Sequence, residues 1–141
     1  MNFRIRSFIR YQAPAFFWAG CIYIASSIPS DRITWYILHR IDKIIHIAIF
    51  FILGLLVYRA MYTQNRSPSF TYKKVWIMLF IVIGYGILDE LHQAGTPGRT
   101  VDVLDLLADA GGGVLAGVAA FLFRKPPDRS VPVSERAGTG K

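Results

Sequence analysis

The stretch Val75–Leu88, VWIMLFIVIGYGIL, decides the fold class of this chain of 141 residues. It contains no charged residue and no polar face, which a helix on the outside of a soluble bundle would show. The stretch Ala48–Tyr58, AIFFILGLLVY, has the same character. Neither alternates between apolar and polar residues, as the strand of a membrane β-barrel would. Both stretches therefore predict membrane-spanning helices, and the soluble four-helix bundle is the weaker interpretation.

Four apolar blocks follow one another along the chain, at 11–28, 44–62, 75–91 and 103–123. Each is close to the ~20 residues that a helix needs to cross ~30 Å of hydrocarbon, once the polar ends of two blocks are included. The composition agrees, because 53% of the residues are hydrophobic and only 18% are charged. We therefore predict an all-α membrane protein with four transmembrane helices.

The basic residues predict the orientation of these helices. Most of the 16 Lys and Arg residues lie in 4–10, 59–74 and 124–141, and such segments face the cytoplasm. This places both termini in the cytoplasm, with 1–10 as a cytoplasmic N-terminus and 11–123 as the four-helix transmembrane domain. The segment 124–141 is a basic tail, rich in Pro and Gly, that we expect to be disordered. The net charge of +7 is then a topology signal, and we expect no nucleic-acid partner.

The N-terminal segment also resembles a secretion signal, because a basic start precedes an apolar run. Only a short run that includes Gln12 and Pro14 separates Arg10 from the small residues near Cys21. We therefore predict a first helix that is retained. Cys21 is the only cysteine, so the chain cannot form an internal disulfide.

Five of the nine acidic residues lie between Gly86 and Gly112, in GILDELHQAGTPGRTVDVLDLLADAGG. With a rise of about 1.5 Å per residue, most of them fall inside the outer leaflet. An ionised group in hydrocarbon costs several kcal/mol, so such groups face the protein interior or a wet cavity and commonly mark function. The acidic stretch is therefore the first candidate for a functional site.

Helical spacing indicates which of these side chains meet. Asp89, His92 and Gln93 share one face at i, i+3 and i+4, and so do Asp42 and His46. Pro97-Gly98 predicts a tight turn, which makes the last two helices an antiparallel hairpin with Arg99 at its tip. Arg99 is either a charge in water, a counter-ion folded over the carboxylates, or a group offered to an anionic ligand. The predicted polar site comprises Asp42, Lys43, His46, Asp89, Glu90, Gln93, Arg99, Asp102 and Asp105.

Two further features accompany this site. His46, Glu90 and His92 are the metal-ligand candidates, but no HExxH-type spacing supports a metal, and the sequence requires no cofactor.

Gly113 and Gly117 form GxxxG, with Gly112 and Ala116 beside them. Small residues allow membrane helices to pack closely. We expect this packing inside the bundle, and the same motif offers a contact for a second copy of the chain.

Two segments resemble the VanZ-like family of bacterial membrane proteins. DKIIHIAIFFILGLL at 42–56 looks like one family signature, and LDELHQAGTPGRTVDVLDLLADAGGGVLAG at 88–117 is similar to the second. The resemblance covers about 14–123. It departs from the family pattern at Asp109, where asparagine is more usual, so a role that needs a neutral amide there is in doubt. It implies a multi-pass protein of the bacterial plasma membrane, in a family named for a protein associated with teicoplanin resistance and cell-wall remodelling.

Three functions follow as hypotheses, and the sequence leaves open whether the protein is an enzyme. The first is an outward-facing site in the outer leaflet that binds a lipid head group, a wall precursor or an amphiphilic antibiotic. The second is an intramembrane hydrolase or transferase, with or without a metal. The third is a structural bundle whose charges pair only with each other. A transporter is weaker still, because four short helices without an inverted repeat leave little room for alternating access.

Overall fold

The computed structural model describes residues 3–29, 35–62 and 68–123, and these ranges contain five helices and no strand. The helices are α1 (Phe3–Tyr11), α2 (Ala13–Ser26), α3 (Trp35–Tyr62), α4 (Pro68–Gln93) and α5 (Val103–Leu122). The all-α prediction is therefore confirmed. The predicted tail at 124–141 lies outside the described residues.

Three helices are long and apolar enough to cross a membrane, with candidate spans at Ile41–Met61, Tyr72–Gln93 and Val103–Leu122. They correspond to the last three apolar blocks. The first block forms α2, which is apolar but only 14 residues long, or roughly 21 Å at 1.5 Å per residue. Among the described residues, the fold thus contains three helices of spanning length and one shorter apolar helix.

Pro14 explains why the helix is interrupted between α1 and α2, at the start of the first block. A proline has no N–H to donate to the carbonyl four residues earlier, and it disfavours a helical residue before it. The chain forms a turn at Gln12, and Pro14 takes a place in the first turn of α2. After α2, the next helix of the described residues is α3, which begins at Trp35. Part of the segment 29–43, between the first two apolar blocks, is therefore helical.

The predicted hairpin between the last two helices is present. Helix α4 ends at Gln93 and α5 begins at Val103. The N–H of Thr96 donates to the carbonyl of Gln93 at 2.9 Å. Gly98 has a φ of 76°, which a residue without a Cβ adopts at no steric cost. The turn returns the chain directly alongside α4.

Helix α5 packs against both α3 and α4 through small residues on two of its faces. A Cβ on Gly112 would lie 2.5 Å from the carbonyl oxygen of Ile47, on α3. A Cβ on Gly113 would lie 2.9 Å from a side-chain atom of Val82, on α4. Gly117 likewise faces α4, and Ala116 meets Gly54 of α3. Close backbone approach through small residues is how membrane helices associate. Association of two chain copies through this motif stays a prediction.

The core is narrow and the outside is apolar. Phe50, Met78, Val82 and Ala116 are fully buried where α3, α4 and α5 meet. Large apolar side chains are exposed around the same helices, among them Trp76 at 72% and Phe80 at 81%. A water-soluble bundle would cover that second set with polar residues. This arrangement fits a chain whose surroundings are hydrocarbon.

Candidate functional site

One end of the bundle brings together the polar residues that the sequence distributes over four segments. The C-terminal ends of α2 and α4 lie there, beside the first turns of α5 and the polar part of α3. The hairpin makes this meeting unavoidable for α4 and α5. All nine residues of the predicted polar site belong to this end, and contacts join eight of them into two groups.

Lys43 is the centre of the first group. Its Nζ atom donates to Oδ2 of Asp102 at 2.5 Å and also to Oδ1 of Asp105. It lies 3.7 Å from Oδ2 of Asp42. One third of the Lys43 side chain is exposed, and Asp42 and Asp102 are exposed to a similar extent. These three side chains form a rim between the buried cluster and the outside.

Asp102 also determines where α5 begins. Its backbone is extended, and its Oδ1 accepts the N–H of Leu104 at 2.8 Å, as an N-cap does. The N–H of Asp102 donates to Oε2 of Glu90 at 2.9 Å. Asp105 lies in the first turn of the same helix, where the helix dipole favours a negative charge. Asp102 therefore joins helix capping, the Lys43 contact and the end of α4.

His46 and Asp109 form the deepest polar contact. Nδ1 of His46 lies 2.8 Å from Oδ1 of Asp109, which places one proton between the two side chains. The His46 ring is nearly parallel to that of Phe50, with centroids 6.5 Å apart. Asp109 has no exposed surface. The predicted polar site does not include Asp109, yet its i+4 spacing from Asp105 is the signal that places it in the cluster.

Asp89 is the centre of the second group. Its Oδ1 accepts the hydroxyl of Ser26 at 2.6 Å, and its Oδ2 accepts Nε2 of Gln93 at 2.9 Å. Nη1 of Arg99 donates to Oε1 of the same Gln93 at 2.9 Å. Arg99 thus folds back over α4, but this bond reaches an amide and not a carboxylate. Sequence reasoning missed Ser26, although a polar residue at the end of an apolar block was a usable signal.

His92 faces away from both groups. Its Nε2 lies 2.9 Å from the hydroxyl oxygen of Ser27, and its ring stacks on Tyr23 at a centroid distance of 4.3 Å. The metal-ligand candidates are therefore not brought together as a set. Within the described residues, the potential ligand atoms of Asp42, His46 and Asp105 all lie within 4.8 Å of one another.

Comparison of the chain with known families gives one result. The VanZ/LLP1 family model matches residues 5–124. The chain belongs to the VanZ/LLP1 family. This confirms the resemblance carried by the two sequence signatures. No curated protein and no solved structure matches the chain.

In this VanZ/LLP1 chain, several buried polar atoms of the site keep open hydrogen-bonding capacity. Oε1 of Glu90, Nε of Arg99 and Oδ2 of Asp109 have no partner among the described residues. Unpaired buried polar atoms cost roughly 1–3 kcal/mol each. Such atoms are consequently uncommon in folded proteins, and these three all lie at the acidic end of the bundle.

The site also has more acidic than basic side chains. Its cations are Lys43 and Arg99, with His46 as a third when it is protonated. Its carboxylates are Asp42, Asp89, Glu90, Asp102, Asp105 and Asp109. The bonds of Lys43 already go to carboxylates, and the carboxylates outnumber the cations, so the site has an excess of negative charge. An amine, a hydroxyl-rich group or a metal ion suits this excess better than an anion does.

Proposed function

We propose that this chain is a multi-pass protein of the bacterial cell envelope that binds the polar head group of an amphiphile at its acidic site. The site lies in the outer leaflet of the plasma membrane, and α2 provides the first of four crossings, so that both termini are cytoplasmic. The head group belongs to a lipid, a wall precursor or a glycopeptide-type antibiotic. Binding of such an antibiotic would link the chain to antibiotic resistance.

The observation that carries this proposal is the rim of Asp42, Lys43 and Asp102 above buried carboxylates with unused acceptor capacity. The rim is about one third exposed, at 35%, 33% and 38% respectively, so a ligand reaches it from the membrane interface. Below it, Glu90 and Asp109 each have an oxygen without a partner among the described residues. A closed set of internal ion pairs needs neither feature.

The charges favour a head group that donates hydrogen bonds. Because the carboxylates outnumber the cations, primary amines and sugar hydroxyls are the groups that the site would stabilise most. Lys43 already contacts two carboxylates, so its capacity for an anionic ligand is largely used. Although Lys43 and Arg99 are residue types that bind anions, here they hold the acidic cluster and its hairpin in place.

The proposal is tested by identifying what the protein carries. The chain is extracted into polymer nanodiscs without detergent, and its associated amphiphiles are compared with those of an Asp42→Asn/Asp102→Asn variant by mass spectrometry. We expect an amine-bearing or glycosylated amphiphile that is enriched with the wild type and depleted with the variant. Identical profiles for the two proteins would reject the binding function.

A metal-assisted intramembrane enzyme is the second candidate, because Asp42, His46 and Asp105 offer ligand atoms within 4.8 Å of one another. Lys43 stands against it, since its ammonium contacts Asp105 and lies 3.7 Å from Asp42. A divalent ion would have to displace this charge. The enzyme requires stoichiometric metal in purified wild-type protein, and a chelator-sensitive reaction. A metal that appears only after Lys43→Ala would be a property of the variant and would count against this candidate.

A further inference from the structure

Helix α1 has an apolar face and a basic face. Ile5, Phe8 and Ile9 recur at helical spacing and are each about half exposed, at 51%, 47% and 52%. Arg6 and Arg10, four residues apart, lie on the other side. A short basic helix with such an apolar face lies in the membrane interface, with that face among the acyl chains. We therefore expect α1 to lie along the membrane surface and not within its core.

A groove of about 590 Å³ opens between α1–α2 and the helices α3 and α4. Its walls are mostly aliphatic and aromatic, and include Phe8, Ala15, Phe16, Val57 and Met61. The rings of Phe8 and Phe16 stack at 6.1 Å between centroids. Alanines on both sides of the groove are too small to fill it, and aromatic rings form its border. A saturated hydrocarbon chain is the simplest group that fits such a surface.

Arginine side chains stand where this groove meets the membrane interface. The guanidinium carbons of Arg10 and Arg59 lie 5.6 Å and 6.0 Å from the centroid of the Tyr11 ring. Tyr11 also lines a second pocket of about 160 Å³, together with Arg6, Ser7 and Arg10. The neighbours of Tyr11 and Arg59 in the chain, Gln12 and Ala60, line the groove itself. The apolar groove and the basic pocket are therefore adjacent.

We propose that this pair of cavities binds one anionic phospholipid of the leaflet next to α1. One acyl chain lies in the groove, and the phosphate lies between Arg10 and Arg59. Charge complementarity selects this occupant, because no residue lining either cavity is acidic in the described part of the chain. Guanidinium groups bind phosphate with two parallel hydrogen bonds. This site is separate from the acidic cluster and does not depend on the function proposed for it.

Native mass spectrometry of the full chain in detergent tests the proposal. The protein is titrated with phosphatidylglycerol and with phosphatidylcholine of identical acyl chains, and with glycerol phosphate as a free anion. The variants are Arg59→Gln, Arg10→Gln/Arg59→Gln, and Ala60→Phe to fill the groove. Lys73→Gln is the matched control, because it also removes one exposed positive charge. Arg59→Lys keeps the charge and serves if a glutamine variant does not fold.

We expect phosphatidylglycerol to bind more tightly than phosphatidylcholine, and each lost arginine to weaken it about fivefold. Ala60→Phe should weaken both lipids, while Lys73→Gln and Arg59→Lys should retain the preference for phosphatidylglycerol. Three results would each overturn the proposal. The first is equal affinity of the wild type for the two lipids. The second is an equal loss of phosphatidylglycerol affinity in Lys73→Gln and Arg59→Gln. The third is displacement of bound phosphatidylglycerol by glycerol phosphate as effectively as by added phosphatidylglycerol.

Discussion

Nδ1 of His46 lies 2.8 Å from Oδ1 of Asp109, and Asp109 is completely buried between three helices. His46 belongs to α3 and Asp109 to α5, so this bond joins two elements across 63 positions of the chain. The third helix is close because Gly86 has no side chain. A Cβ there would lie 3.1 Å from Oδ2 of Asp109. The polar contact and the close helix packing therefore depend on each other.

Removing the carboxylate of Asp109 should lower the stability of the fold more than replacing it with an amide. We expect Asp109→Ala to lower the free energy of unfolding by about 3–5 kcal/mol, because it leaves His46 buried without its partner. Asp109→Asn keeps an oxygen acceptor and should cost about 1–2 kcal/mol. Thermal and denaturant unfolding in detergent measure both. Equally small losses in the two variants would show that the hydrogen bond contributes little.

Two adjacent glycines of α5 provide a matched test of the packing. A Cβ on Gly112 would lie 2.5 Å from the carbonyl oxygen of Ile47 and 2.8 Å from the backbone nitrogen of Phe51, and backbone atoms cannot move aside easily. Gly112→Ala should therefore destabilise the bundle by about 1–3 kcal/mol or more. A Cβ on Gly111 would meet nothing within 4 Å, so Gly111→Ala should be neutral or stabilising by up to about 1 kcal/mol. Melting temperatures in detergent compare the two, and similar values would contradict this arrangement.

Asp102 has a capping role and a charge role that substitution separates. Asparagine caps helices as well as aspartate does, whereas alanine does not. Asp102→Ala should cost about 0.5–2 kcal/mol from the cap alone, and Asp102→Asn should retain most of that stability. The measurement is unfolding of the two variants under identical conditions. A loss in Asp102→Asn as large as that in Asp102→Ala would mean that the Lys43 contact, and not the cap, is the main contribution.

The orientation of the acidic end is tested by labelling single cysteines in intact cells. In a Cys21→Ser background, Thr100→Cys lies in the exposed turn between α4 and α5, and Lys73→Cys lies at the opposite end of α4. The proposed topology predicts that a membrane-impermeant maleimide labels position 100 in intact cells. Position 73 should be labelled only after the membrane is opened. The reverse pattern would place the acidic end in the cytoplasm.

Much of this fold and site could be predicted because membrane helices are encoded in local patterns. The apolar blocks predict the helices, and Pro97-Gly98 predicts the hairpin. The site residues follow from depth and helical phase. What could not be predicted is which partner each polar group selects. Lys43 pairs with Asp102 and Asp105, and Arg99 with Gln93, because these choices depend on how the helices and their connecting turn are placed against one another.

The first helix shows a second limit of the sequence. The first apolar block, 11–28, counts toward one crossing by its length, but its helix, α2, covers only Ala13–Ser26, and α1 is a separate helix that ends at Tyr11. Hydropathy alone does not distinguish an interfacial helix that is followed by a short membrane-crossing helix from a single long membrane-crossing helix. The contacts of Ser26 and Ser27 with α4 also depend on where α2 ends. Local pattern does not contain that information.

The central claim is that the acidic rim recognises a molecule outside the chain. The direct measurement uses a strain that lacks the gene, complemented with wild-type protein or with Asp42→Asn/Asp102→Asn at matched abundance. Its sensitivity to envelope-targeting antibiotics and its lipid profile are then recorded. Both substitutions keep side-chain shape, and an asparagine at position 102 would still cap α5, so we expect normal abundance and loss of the wild-type profile. Normal abundance together with a fully wild-type profile would contradict the claim and leave a bundle whose charges serve only its own fold.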